Sequence, residues 1–183
     1  MKITNSNLNF NAKYLDRVEI RKKRFLGYKP CEVSLIEFDR NNPNDLQAMN
    51  HVVHNYGPNS PVYTMLWSEP VSNQHIVGIT TQKDNFENPV ADNILALMQY
   101  YDYKDLVYIS KLQVEPKYKY EEMKFFRKYK DIGKAFIKKV KMINDNKRLE
   151  VCSLEKAIPF YEKIGFRHNN NMPEKMFSVM YLE

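Results

Sequence analysis

The sequence predicts one α/β domain, with a mixed, mostly antiparallel central sheet of about six to seven strands flanked by helices. Three observations carry this expectation. β-rich apolar segments alternate with helical patterns in the second half of the chain. Two β-rich segments stand next to each other in the first half. The 183 residues, 43% of them apolar, suffice for a single core.

CEVSLIEFD (residues 31–39) alternates apolar and polar side chains as a half-buried strand does. NNPND follows, with Asn42 as a helix cap and Pro43 at the first helical position. The helix carries Leu46, Met49, Val52 and Val53 on one face and stops at Gly57-Pro58. VYTMLW (62–67) and QHIVGITTQ (74–82), joined by a turn-rich EPVSN, predict an antiparallel hairpin. In residues 91–101 the apolar positions Ile94, Leu95, Leu97 and Met98 fit a short amphipathic helix, capped near Asn88 and Pro89. LVYISKLQVEP (106–116) is a strand stopped by proline. Residues 132–143 form a helix with Ile132, Ala135, Phe136, Val140 and Ile143 on one face. RLEVCSL (148–154) is a buried strand, 155–164 a helix ended by Gly165, and KMFSVMYLE (175–183) a last strand.

Residues 1–30 read as an N-terminal extension packed on or preceding a domain that spans 31–183. IRKKR (20–24) within it reads as a solvated charge run. No apolar run is long enough to span a membrane, and the polar start lacks the apolar centre of a secretory signal, so a cytoplasmic protein without a membrane partner is expected. Cys31 and Cys152 lack metal-ligand spacing; both read as buried strand thiols, and no metal site is expected. The net charge of +6 is concentrated in residues 117–141, which hold ten basic and three acidic residues. Such a strip suits nucleic acid, an acidic membrane or cofactor phosphates.

Two segments point to chemistry. In the first, Val114-Glu115-Pro116 ends a strand, and Lys128-Tyr129-Lys130-Asp131-Ile132-Gly133 then leads into a helix whose unpaired N–H groups can hold an anion. The second is AIPFYEKIGF, with Ala157, Ile158, Phe160, Tyr161, Lys163, Gly165 and Phe166. With the element order, this pair resembles the GNAT acyltransferases over residues 31–183. The resemblance implies acetyl-coenzyme A as cosubstrate and a primary amine as acceptor. Backbone of Leu112, Gln113 and Val114 would align the pantetheine. Lys128, Tyr129, Lys130, Asp131, Ile132, Gly133, Lys134 and Ala135 would form the pyrophosphate turn, Phe160 would lie against the cofactor, and Tyr161 would protonate the departing thiolate.

The chain departs from the family pattern in places. Lys128 replaces a Gln or Arg, Asp131 stands where a first glycine is usual, Leu154 replaces an asparagine, and residues 117–127 are interposed as a lid, a helix extension or a carrier of cations for the 3′-phosphate. A turn at residues 117–119 is the alternative placement. By periodicity alone Phe160 and Ile164 fit the core. The strand before the turn offers Tyr108, Ser110, Lys111 and Gln113 but no carboxylate until Glu115; His51, His54, His75 and Glu150 are the other candidate bases, none assigned. Acceptor-lining residues would come from 49–63 and 168–175, with Tyr56, Tyr63, His168 and residues 169–171. Two other functions stay open: a GNAT-fold binding protein without chemistry, and a nucleic-acid binder that uses the strip with Tyr118, Tyr120, Phe125, Phe126 and Tyr129. The oligomeric state is open, a dimer included.

Overall fold

A hairpin opens the described chain. β1 (Lys13–Arg24) and β2 (Gly27–Glu37) pair antiparallel from Lys13 opposite Glu37 to Arg24 opposite Gly27. Gly27, at φ 101°, supplies the positive φ that lets the chain leave the two-residue turn Phe25-Leu26. The computed structural model describes residues 12–66, 69, 71–118, 127–169 and 177–183. The charge run is thus part of a strand: Val18 and Ile20 are buried, while Arg21, Lys23 and Arg24 are exposed. A boundary at residue 30 would fall inside β2, so residues 13–30 are built into the sheet rather than appended to it.

α1 (Pro43–Tyr56) begins as its sequence predicts. Asn42 Oδ1 accepts the N–H of Asn44 at 2.8 Å and of Asp45 at 3.3 Å, and Gly57 ends the helix at φ 84°. Residues 62–66 of the expected strand 62–67 are not a strand, and residue 67 lies outside the described residues. Tyr63–Leu66 is a 3-10 turn, closed by Met65 N–H donating to Val62 O, with Val62 and Met65 buried three residues apart. The hairpin expected with it is replaced by one between β3 (Gln74–Thr80) and β4 (Ile94–Asp102). β4 also replaces the helix expected over 91–101. All of residues 94–100 are buried, and a strand covered on both faces shows a continuous apolar run that periodicity cannot tell from a helix.

Of the remaining elements, β5 (Leu106–Val114), α2 (Ile132–Ile143), β7 (Arg148–Leu154), α3 (Ile158–Lys163) after a 3-10 turn, and β9 (Phe177–Leu182) fall where the sequence puts them, whereas the two-residue strands β6 (Tyr129–Lys130) and β8 (Arg167–His168) are additions. Among the described residues, nine strands form one sheet ordered β6-β1-β2-β3-β4-β5-β7-β9-β8, antiparallel throughout except where β5 meets β7. The count exceeds the six or seven expected because β1, β4, β6 and β8 lie outside the segments whose pattern marks a strand.

Each face of the sheet has its own core. α1 packs Ala48, Met49, Val52 and Val53 with Ile36, Phe38, Ile76 and Leu97. On the other face, α2 and α3 bring Phe136, Ile137, Val140 and Tyr161 against Val33, Leu35, Val77, Met98 and Ile109.

Candidate active site

The parallel seam between β5 and β7 is short. It runs from Leu106 opposite Arg148 to Ile109 opposite Val151 and then stops, although β5 continues to Val114 and β7 to Leu154. The cause lies on the other edge of β5. Gln99 of β4 faces Lys111 while Tyr100 faces Ile109, so Ser110 is an extra residue, a bulge that bends β5 where the seam ends. Beyond it the two strands splay apart. Glu115 N–H donates to Leu95 O, and alternation along β5 then directs the N–H groups of Leu112 and Val114 away from β4, into the splay. Gln113 is buried on the opposite face, where its Nε2 donates to Val114 O at 2.6 Å.

The end of β5 leads towards the start of α2. Asp131 precedes the helix in the left-handed conformation, φ 63°, ψ 14°. The first intrahelical bond is Ala135 N–H to Asp131 O, so the N–H groups of Ile132, Gly133 and Lys134 lie ahead of it, and among the described residues no side chain caps them. The Asp131 carboxylate does not cap them because it is engaged by Arg21 Nε from β1. Lys130 Nζ lies 4.0 Å from the centre of the Tyr28 ring and Lys128 Nζ 5.5 Å from that of Tyr129, so cations stand beside the turn. Gly133 is buried because strand, turn and α3 converge on it: a Cβ there would lie 3.1 Å from Phe160 Cζ and 3.5 Å from Val114 Cγ2.

Phe160 is 37% exposed, so it is not a core residue as its spacing suggests. Tyr161 behind it is buried, edge-on to Phe160 and to Phe166 at 5.1 and 5.2 Å. Burial pushes its phenol up to about 12, which keeps the hydroxyl protonated at neutral pH.

Val114, Gly133 and Phe160 thus meet at one point, with Ile132, Lys134 and Ala135 in the same helical turn. The candidate bases are scattered. His51 lies 4.0 Å from Asp92, His54 contacts Asn50 O at 2.8 Å, and His75 stacks on Tyr100 and contacts Glu37. Glu150 pairs with Tyr108 at the closed end of the splay; Leu149 and Val151 beside it point into the core with α2, so its carboxylate lies on the other face, 2.8 Å from Arg148 Nη2. Lys111 shares that face and donates to Gln99 Oε1 at 3.0 Å, and burial lowers its pKa. Tyr56 Oη and Glu115 Oε2 are buried without hydrogen-bond partners among the described residues. Burial raises the pKa of both groups, an effect opposed at Glu115 by Lys117. His168 bridges Ser178 and Glu162. Cys31 and Cys152 are half-buried free thiols rather than buried ones. Most of the interposed stretch, residues 119–126, and residues 170–175 of the acceptor loop lie outside the described residues.

Two features were not legible beforehand. Arg21 reaches Asp131 across 110 residues of sequence, and a charge run gives no sign of such a partner. The bulge at Ser110 has no glycine or proline to mark it.

No protein-family model and no curated protein matches the chain. Solved structures do. The fold is that of the GNAT acetyltransferases. The ribosomal-protein-S18-alanine N-acetyltransferase from Escherichia coli aligns at a TM-score of 0.54 and 14% identity, over 82% of this chain and 92% of that one. The PaiA N-acetyltransferase from Thermoplasma acidophilum, solved in complex with coenzyme A, aligns at 0.52 and 14%, over 81% and 97%. Tetrahymena GCN5 aligns at 0.52 and 11%, over 77% and 89%.

Proposed function

We propose that the chain is an acyl-coenzyme A-dependent N-acyltransferase that moves acetyl from acetyl-coenzyme A to a primary amine by direct attack. The observation that carries this is the continuity from the splay, through Val114, to the uncapped first turn of α2 at Gly133, with Phe160 and Tyr161 beside it. The site fits the cosubstrate. A pyrophosphate needs converging N–H groups and close backbone approach, and Ile132, Gly133 and Lys134 offer both at the positive end of a helix. Lys128 and Lys130 add positive charge. The N–H groups of Leu112 and Val114 serve the amide-bearing arm and the thioester oxygen.

In the reaction, the neutral amine nitrogen forms a bond to the thioester carbon and the C–S bond breaks. The departing sulfur takes a proton from the Tyr161 hydroxyl, a donor that burial keeps protonated. The proton shed by the amine goes to Glu150, the carboxylate at the closed end of the splay, directly or through water. Tyr56 and Tyr63 lie on the acceptor side. Calorimetry with acetyl-coenzyme A, followed by an amine screen scored by thiol release, tests the proposal; no binding at tens of micromolar would overturn it.

One second reading has a specific observation behind it. Asp131 places a side chain and a carboxylate where a glycine would let phosphate approach, and β5 lacks a carboxylate before Glu115. A GNAT-fold binding protein without transferase chemistry would show this, and would leave thiol release at background with every amine.

A further inference from the structure

The β1–β2 turn carries two large apolar side chains where turns ordinarily use Gly, Asn, Asp or Ser. Phe25 is 101% exposed and Leu26 83%, against a core in which side chains of this kind are buried. Cations surround them. Lys22 stands directly opposite Lys29, a like-charge cross-strand pair that costs stability unless an anion offsets it. Arg24 flanks the turn, and β6 adds Lys130 opposite Arg21, with Lys128 O accepting the N–H of Lys23. Successive strand residues point to opposite faces, so these cations encircle the hairpin rather than line one side. Residues 21–30 and β6 hold no carboxylate; Asp131, next to β6, is engaged by Arg21, and Glu19 and Glu32 face each other two residues further from the tip.

We propose that this tip is a peripheral docking surface for an anionic phospholipid membrane, with Phe25 and Leu26 entering the acyl boundary and the ring of Lys and Arg side chains at headgroup level. An apolar apex inside a cationic collar matches a planar interface whose surface is negative and whose interior is hydrocarbon. Single-stranded nucleic acid fits less well: it wants a basic groove on one face lined by stacking rings, and Leu26 has no ring. The proposal departs from the sequence expectation of no membrane partner; among the described residues no helix is long and apolar enough to cross a bilayer, and a surface contact needs none. The proposal does not depend on acyl transfer.

Co-sedimentation of the full chain with vesicles tests it, using phosphatidylcholine alone and phosphatidylcholine mixed with phosphatidylserine at physiological salt. Binding is expected to the mixed vesicles only. Phe25→Ser with Leu26→Ser, both on exposed positions, should lower partitioning by about tenfold or more while leaving the thermal midpoint unchanged. Phe25→Trp should shift its emission to the blue on addition of mixed vesicles. Failure to bind phosphatidylserine vesicles, equal binding by the double variant, or release of bound protein by a single-stranded oligonucleotide would overturn the proposal, the last in favour of nucleic acid.

Discussion

Substituting alanine for glycine at two positions should give opposite results, because the neighbours differ in their freedom to move. At Gly78 in β3 a Cβ would lie 2.7 Å from Phe38 Cε2 and 3.4 Å from Ala96 O, and Phe38 is 5% exposed within the α1 core. The ring has nowhere to go, so Gly78→Ala should cost about 1–3 kcal/mol by overpacking. For a domain of this size that is a fall in midpoint of about 2–12 °C. At Gly133 the closest approach is 3.1 Å, to Phe160 Cζ, and that ring is 37% exposed. It can swing outward by the few tenths of an ångström required. The methyl also relieves the helix of a glycine, worth up to about 1 kcal/mol. Gly133→Ala should therefore leave stability within about 1 kcal/mol of wild type while filling the approach to the first-turn N–H groups. Affinity for acetyl-coenzyme A should fall about tenfold or more, or about 1.4 kcal/mol. Thermal denaturation by circular dichroism and isothermal calorimetry on both variants read the two effects separately. Wild-type affinity in Gly133→Ala, or a stability loss equal to that of Gly78→Ala, would refute the reasoning.

Tyr161→Phe should lower acetyl transfer about a hundredfold with little change in midpoint; because the phenol is pushed up to about 12, the wild-type rate should show no decline from its ionisation between pH 7 and 10. Full activity of the variant across that range would remove Tyr161 from the reaction. Glu150→Gln should slow transfer at pH 7 by about a hundredfold and leave acetyl-coenzyme A affinity unchanged, so an unaltered rate sends the search for a base elsewhere. Asp45 supplies a pH test of the fold: it is fully buried in the first turn of α1, accepts the N–H groups of Asp39 at 2.8 Å and Ala12 at 3.2 Å, and burial pushes its carboxyl up to about 6. A folded value above the unfolded one favours the neutral acid, so its contribution is full below about pH 4 and is lost as pH rises through 6, a change of about 3 kcal/mol. Urea unfolding should show that slope in the wild type and not in Asp45→Asn; parallel curves would mean that the two N–H groups hold the carboxylate ionised.

What the sequence discloses about this fold depends on whether the deciding interaction is local. Asn42, Pro43 and Gly57 announce α1 because capping and termination are settled within a turn of the chain. The α3 segment and the turn at Gly133 are legible for the same reason. β4 misleads because burial on both faces erases the alternation that marks a strand, and Val62 and Met65 mislead because three-residue spacing in a short apolar run also fits a 3-10 turn. Strand β1 and the start of β2 are concealed by their charges, since most of their cations sit on strand positions that face solvent. The splay has no local signature at all: it exists because Ser110 is left unpaired against β4, a fact about register between two strands.

That bulge divides the sheet mechanically as well as chemically. β7, β9 and β8 form a leaf joined to the remaining strands by four residue pairs, Leu106 to Ile109 against Arg148 to Val151. Such a leaf is a natural unit for sub-global opening, and its amide hydrogens should exchange with solvent sooner than those of β3 and β4. A molecule lodged in the splay would touch both leaves and act as a missing strand. Its binding free energy would then appear as protection of β7 and β9, residues it need not contact, because anything that binds only the closed arrangement stabilises it by mass action.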